Sequence, residues 1–386
     1  MSLLITAPRV IPAGTGSAVL EPGFVAAEGG LITAVGQGPP PRQPDVALDH
    51  GVLVPGLVDL QVNGYFGVDL AAADPDGWAR VVQRLPETGT TAFLPTYITA
   101  PLPDLVAAVR HAKKFSAALP TGARVLGLHV EGPFLSPARA GAHRREWIIP
   151  PTAGAVSELI AAGEGFLRLV TLAPETEGGL AAVAAMAAAG VLVSVGHSDA
   201  TASVVSAAAD AGARKVTHLF NAQRPIHHRE PGVVGQALAD RRLTSGLIVD
   251  FWHVAAEVCG IALTAAPGRI CLVTDAAACA GMPPGRYLLG GEEVELPPGD
   301  GVPPMRPDGT LAGSALRLDR AVANAVATGM SLTSAVAAAT RIPADLIGRP
   351  DLGRIAEGAA ADLTWLGDDL LTLGTWIGGE QVFAPG

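Results

Sequence analysis

Leu180-Ala-Ala-Val-Ala-Ala-Met-Ala-Ala-Ala-Gly190-Val-Leu-Val-Ser-Val-Gly-His197 is the stretch that decides the fold. Ala, Leu and Met favour a helix over 179–189, and Gly190 stops it. The β-branched run that follows predicts a buried strand over 191–197, and it ends on an imidazole. The segment from Gly178 to Gly196 carries no charge and is long enough to suggest a membrane span. Its interruption at Gly190 and its change of character favour a helix, a turn and a strand in a soluble core.

The same unit recurs outward in both directions. Val/Ile/Leu-rich runs predict strands at 53–60, 91–97, 124–131, 167–174, 191–197, 215–220, 244–250 and 269–275. Continuous apolar character of this kind suits a parallel sheet covered on both faces. Between them fall helical patterns at 76–87, 102–118, 153–162, 179–189, 201–211 and 254–265, with another at 315–328. Eight strands each followed by helical material imply an α/β fold, a (β/α)8 TIM-like barrel. The 386 residues leave room for a small second domain. Short β-like pieces (Leu3–Thr6, Leu31–Val35, Asp362–Leu366, Thr375–Ile377) lie at both ends. We expect residues 1–52 and 353–386 to join in one small β-domain flanking a barrel at 53–352. Gly- and Pro-rich 281–310 contains an alternating patch from Tyr287 to Leu296 and predicts a hairpin or lid.

Composition narrows the function. A net charge of −10 with no Lys/Arg-rich run argues against a nucleic-acid or acidic-membrane binder. Cys259, Cys271 and Cys279 are odd in number and form no CxxC pair, so a reducing, cytoplasmic setting is expected. Met1-Ser-Leu-Leu-Ile-Thr6 lacks the features of a signal peptide.

Barrel chemistry sits at the carboxyl ends of the strands. Polar residues collected there are Gln61, Asn63, Glu131, His197, His218, His253 and Asp275. Two imidazoles and one carboxylate (His197, His218, Glu131) make the donor set of a catalytic metal that keeps a position open for water. A buried carboxylate such as Glu131 needs a cationic or hydrogen-bonding partner, and a metal supplies one. His129 lies deeper on its strand and is expected to support the site. Ser198 or Asp199 is placed to cap the next helix. Asp275 suits a general acid/base that takes a proton from water and returns it to a leaving amine.

Gly127-Leu-His-Val-Glu-Gly-Pro133, Gly196-His-Ser-Asp-Ala-Thr201, Thr217-His-Leu-Phe-Asn-Ala222, Arg229-Glu-Pro-Gly232 and Leu311-Ala-Gly-Ser314 stand in an order that resembles the N-acetylglucosamine-6-phosphate deacetylases of the amidohydrolase superfamily. The likeness extends from Pro55-Gly-Leu-Val-Asp59 to Gly358-Ala-Ala-Ala-Asp-Leu363. It implies a barrel with a small β-sandwich made from both termini, and a homodimer. Carried over, Glu131, His197 and His218 would hold one divalent metal, and Asp275 would be the acid/base. His143 would polarise the acetamide carbonyl. Ala142, Asn221, Ala222, His253 and the Leu311-Ala312-Gly313 backbone would contact a phosphorylated N-acetyl amino sugar, with Arg229 reaching the neighbouring subunit's phosphate.

Two departures matter. Asp59-Leu-Gln61-Val-Asn63 replaces the His-x-His of many amidohydrolases, so a second metal position should be weak or lost, with Gln61 reaching the metal through water. Phe251 stands where the resemblance expects Gly, which puts the loop shape and the sugar preference in question. Zn²⁺ suits the ligands first, with Fe²⁺, Mn²⁺ and Co²⁺ as alternatives. Alternative readings are a deacetylase for N-acetylgalactosamine 6-phosphate, another amidohydrolase such as a cyclic-amide hydrolase, or a catalytically silent sugar-phosphate-binding relative.

Overall fold

The computed structural model describes residues 2–299 and 301–384. Eight parallel strands form the barrel: β1 (Leu57–Val62), β2 (Thr90–Ile98), β3 (Leu128–Glu131), β4 (Leu167–Leu172), β5 (Leu192–Val195), β6 (Lys215–Val216), β7 (Thr244–Leu247) and β8 (Ile270–Leu272). They pair in chain order. Backbone bonds from Asp275 N to Gln61 O (3.0 Å) and from Asn63 N to Ala276 O (2.8 Å) join the continuation of β8 to β1 and close the ring. Helices α1 (Pro75–Arg84), α2 (Leu102–Ser116), α3 (Ala153–Ala162), α4 (Gly179–Ala188), α5 (Ala202–Ala211), α6 (Gly232–Ala239), α7 (Ala256–Ala265) and α8 (Leu318–Ala327) cover it. The expected barrel is therefore present, and α4 with β5 forms from the stretch that announced it.

The differences are local and have causes. The first strand, expected at 53–60, breaks at Gly56. A Cβ there would lie 2.0 Å from Thr91 Oγ1, while the Gly56 amide donates to Asp362 O at 2.8 Å. Val52–Pro55 instead pairs antiparallel with Leu363–Leu366, so this strand crosses the 52/53 boundary read from the sequence. Helix α6 was not expected, because Gly-Val-Val-Gly is a poor helix former. Burial of Gly232, Val233, Val234 and Ala237 carries it in place of propensity. Two short helices, α9 (Leu332–Ala339) and α10 (Arg341–Leu346), follow α8. Thr201, not Ser198 or Asp199, caps α5.

Both chain ends build the small domain, as two four-stranded sheets. One orders its strands 31–37, 23–28, 2–7 and 46–47; the other orders 380–383, 372–377, 363–366 and 52–55. Ile5, Val25, Ile32, Leu53, Leu363 and Trp376 fill the space between them, which makes the expected β-sandwich. Arg124 donates to both Asp362 carboxylate oxygens (2.7 and 2.9 Å), tying a barrel-edge strand to this domain. The hairpin read at 287–296 forms from Gly285–Leu289 and Glu292–Leu296. No helix among the described residues is long and apolar enough to cross a membrane.

Candidate active site

The carboxyl ends of the strands surround a cavity of about 220 Å³. Glu131, the last residue of β3, lies at its floor and is 2% exposed. Its Oε1 faces His218 Nε2 at 3.0 Å and His197 Nε2 at 3.3 Å, and its Oε2 accepts from Gln61 Nε2 at 3.0 Å. Burial opposes ionisation of Glu131. The imidazoles of His197 and His218 beside Oε1 outweigh it and hold the carboxyl well below the usual range.

Three of the expected residues lie just past their strands in the left-handed region: His197 (φ 49°), His218 (φ 22°) and Asp275 (φ 53°). Such a backbone costs a non-glycine residue of order 1–2 kcal/mol and is typical of functional positions. Asp275 Oδ1 accepts from Gln61 Nε2 (3.0 Å) and Asn63 Nδ2 (2.7 Å). Burial first, and then the charge of Glu131, raise its pKa above the ordinary carboxylate value.

Ring nitrogens separate the histidines by role. His197 Nδ1 lies 2.9 Å from Arg139 O, which can only accept. The proton therefore sits on Nδ1, and Nε2 turns a lone pair toward Glu131. Asp199 pins that carbonyl in place by pairing with the Arg139 and Arg224 guanidiniums. His143 is the reverse case. The Thr99 backbone N–H donates to its Nδ1 (3.3 Å), and Thr99 Oγ1 also sits against that atom (2.8 Å). The neutral ring thus carries its proton on Nε2 and is a donor there. Burial, followed by the neighbouring His197, keeps His143 well below the usual imidazole range. His129 has both nitrogens engaged, by Thr96 Oγ1 (3.1 Å) and Thr171 Oγ1 (2.8 Å), and burial lowers it to about 3. It supports β3 from below, as expected.

These residues fit a metal. Tetrahedral ligands at zinc distances sit about 3.3 Å apart, close to the Glu131–imidazole separations. Ligand atoms of Glu131, His143 and His197 also fall within 4.8 Å of one another. His143 turns Nδ1 to Thr99, whereas His218 Nδ1 has no hydrogen-bond partner among the described residues. Gln61 bridges Glu131 and Asp275 through Nε2, and its Oε1 is buried and unpartnered.

Ala142, Asn221, Ala222, His253, Leu311 and Gly313 line the cavity. Ala312 does not line it; the side chain is fully buried beneath the hairpin. Arg229 is exposed and outside this cavity. His253 Nδ1 bonds Asp250 Oδ2 at 2.6 Å, while Asp250 Oδ1 caps the Trp252 and His253 amides. These caps hold Phe251 at φ 67°, so the loop keeps a glycine-like backbone despite the larger residue, and Phe251 does not line the cavity. Sequence reasoning missed Ile98, Ile248, Leu289 and Thr310 on the lining. It also missed the environment of Asp59, whose carboxyl burial pushes up to about 7 while Thr274 Oγ1 donates to it at 2.6 Å.

Comparison with known proteins agrees with this geometry. The amidohydrolase family pattern matches residues 52–382. The chain is 39% identical over 345 residues to N-acetylglucosamine-6-phosphate deacetylase of Bos taurus, covering 86% of this chain and 83% of the relative. It is 38% identical over 334 residues to N-acetylgalactosamine-6-phosphate deacetylase of Escherichia coli O157:H7, covering 86% and 88%. Among solved structures, a mutant N-acetyl-D-glucosamine-6-phosphate deacetylase of Mycobacterium smegmatis, in complex with N-acetyl-D-glucosamine-6-phosphate, superposes with a TM-score of 0.93 at 37% identity, covering 99% of this chain and all of that one. The chain therefore belongs to the amidohydrolase family and, within it, to the N-acetylglucosamine-6-phosphate deacetylases.

Proposed function

We propose that this protein hydrolyses N-acetyl-D-glucosamine 6-phosphate to D-glucosamine 6-phosphate and acetate. The observation that carries the reading is one small cavity whose floor gathers the Glu131–His197–His218 cluster, the Asp275 carboxylate and the His143 N–H. Glu131, His197 and His218 would hold one divalent cation, Zn²⁺ first, with Fe²⁺, Mn²⁺ and Co²⁺ as alternatives. Bound there, the cation supplies Lewis-acid activation of water and of the acyl oxygen.

The chain's own groups do the rest. Asp275, raised in pKa and fixed by two amide donors on Oδ1, takes the proton of the attacking water on its other oxygen. His143 Nε2–H donates to the carbonyl oxygen as negative charge grows there. Asp275 then returns the proton to the sugar nitrogen, so one carboxyl serves both transfers. Asn221, Ala222 and His253 hold the sugar phosphate, and the Leu311–Gly313 backbone closes over the sugar near the acetyl end, which together fix its orientation. With Nδ1 engaged by Asp250, His253 turns Nε2 toward that anion. Arg229, exposed and outside its own cavity, completes the phosphate contacts of a second copy in a homodimer. Gln61 approaches the cation through water. Three buried free thiols suit a cytoplasmic protein.

The 38%-identical relative acting on N-acetylgalactosamine 6-phosphate supports a second reading, in which the epimer is the substrate. Acetate release from N-acetyl hexosamines with and without the 6-phosphate, on protein of measured metal content, decides between them. Faster turnover of the gluco epimer with strong dependence on the phosphate is expected. Substrate binding without acetate release by the metal-loaded protein would refute both.

A further inference from the structure

The cavity also carries apolar lining residues that the proposed chemistry leaves without a task. Ile98 ends β2, and its backbone is in register with Glu131 on β3. Leu289, the last residue of the first hairpin strand, is 5% exposed and faces the same cavity. The hairpin packs on Ala277, Cys279 and Ala312, and Ile98 and Ala142 pack against that cluster.

The wall is closed tightly. Gly290, at the hairpin tip, has φ 57°, and a Cβ there would lie 2.5 Å from Ile98 Cδ1. Glycine adopts this left-handed turn without strain and brings the tip against that side chain. Arg306 pairs with Glu292 at 3.7 Å and donates to Ala142 O at 2.9 Å, and Arg144 also pairs with Glu292, so both fasten the hairpin to the loop that carries His143.

Topology gives the wall a direction. Strands four apart in an eight-stranded barrel face each other, so Ile98 on β2 lies across from the residues that follow β6, Asn221 and Ala222. In a trans secondary amide the two carbon substituents point away from each other. With the sugar phosphate held beyond β6 and β7 and the carbonyl at the floor, as in the proposed reaction, the acyl carbon chain would point at Ile98 and Leu289.

We propose that Ile98 and Leu289 form the acyl-binding end of this site, and that the hairpin sets the length of acyl group removed, with two carbons as the fit. This rests on the deacetylase reading above. Adding one methylene to a filled apolar pocket costs about 10-fold or more in kcat/KM.

The test is a series of N-formyl, N-acetyl, N-propanoyl and N-butanoyl glucosamine 6-phosphates, with carboxylate release measured for wild type, Leu289→Ala, Leu289→Phe and Ile98→Val. Ratios of kcat/KM between acyl chains are read, since these do not depend on the fraction of folded enzyme. Wild type should favour acetyl over propanoyl by about 10-fold or more. Leu289→Ala should raise the propanoyl-to-acetyl ratio by about 10-fold, Ile98→Val should raise it less, and Leu289→Phe should shift preference toward formyl. Ratios that stay within about threefold of wild type in the Leu289 variants would overturn the proposal. A wild-type enzyme that releases no carboxylate from any member would instead sink the deacetylase reading itself.

Discussion

Asp275→Asn is the sharpest perturbation of the proposed chemistry. Oδ1 of Asp275 accepts from Gln61 Nε2 and Asn63 Nδ2, and an asparagine Oδ1 can accept from both. The side chain should therefore stay in place, held also by the Asp275 N–H bond to Gln61 O. What changes is the second oxygen, which becomes an NH2 that cannot take a proton from water. General acid–base catalysis is worth about 10²–10⁴-fold. Because the same carboxyl serves both attack and departure, the loss should lie toward the upper end, on the order of 10³–10⁴-fold in kcat. KM should move little, since no sugar or phosphate contact is removed. Folding should not suffer, because the variant removes a buried carboxyl that already sits above its ordinary pKa beside Glu131. The assay is acetate release from N-acetylglucosamine 6-phosphate, alongside metal content by elemental analysis and thermal unfolding. Turnover within about tenfold of wild type would refute the acid/base assignment. Loss of the metal with the activity would move Asp275 from proton carrier to ligand.

Two of the cavity histidines should separate cleanly: His197→Ala should lose metal and activity together, while His143→Gln should keep the metal and lose about 10²–10³-fold in kcat, as removal of an oxyanion donor does. Equal metal loss in both would contradict the tautomers derived from Arg139 O and Thr99 N–H. Asp59 gives a pH prediction. Its folded value of about 7 exceeds its ordinary 3.8, so the native state alone holds the proton between those values. Stability should fall as pH rises through that window, by up to about 4 kcal/mol. Denaturant titrations should show Asp59→Asn more stable than wild type at pH 8 and no more stable near pH 4; a pH-independent difference would refute this. Arg124→Ala strips the guanidinium from Asp362, which is 3% exposed on its side chain, while the Gly378 N–H remains bonded to it. About 2 kcal/mol of stability should be lost, below the cost of breaking a fully buried pair because Arg124 is partly solvated; an unchanged Tm would count against it.

Most of the barrel was legible because its strands are apolar on both faces and its helices rich in alanine, so local pattern and tertiary demand agree. Helices α3 (153–162) and α4 appear nearly where the periodicity places them. Helix α6 was illegible because its stability comes from packing Val233, Val234 and Ala237, against the preference of its two glycines. Phe251 was a reasonable warning that its environment cancels: Asp250 supplies the hydrogen bonds that hold a phenylalanine in a glycine-like turn. Leu289 was hidden for a different reason. An alternating hairpin announces itself, but nothing in its sequence says which cavity its tip will close.

By itself, the sequence determined which residue types stand at the ends of the strands, because a carboxylate or imidazole that directly follows a buried run has few tolerable environments. Glu131, His197, His218 and Asp275 follow from that alone. Only the tertiary structure decided how they are set relative to one another. Left-handed backbones turn three of them into the mouth of the barrel. A carbonyl from one loop and an amide from another set which nitrogen of His197 and of His143 carries the proton. Those partners lie far apart in the chain, and hydrogen-bond direction is fixed only when folding brings a donor or an acceptor to the ring.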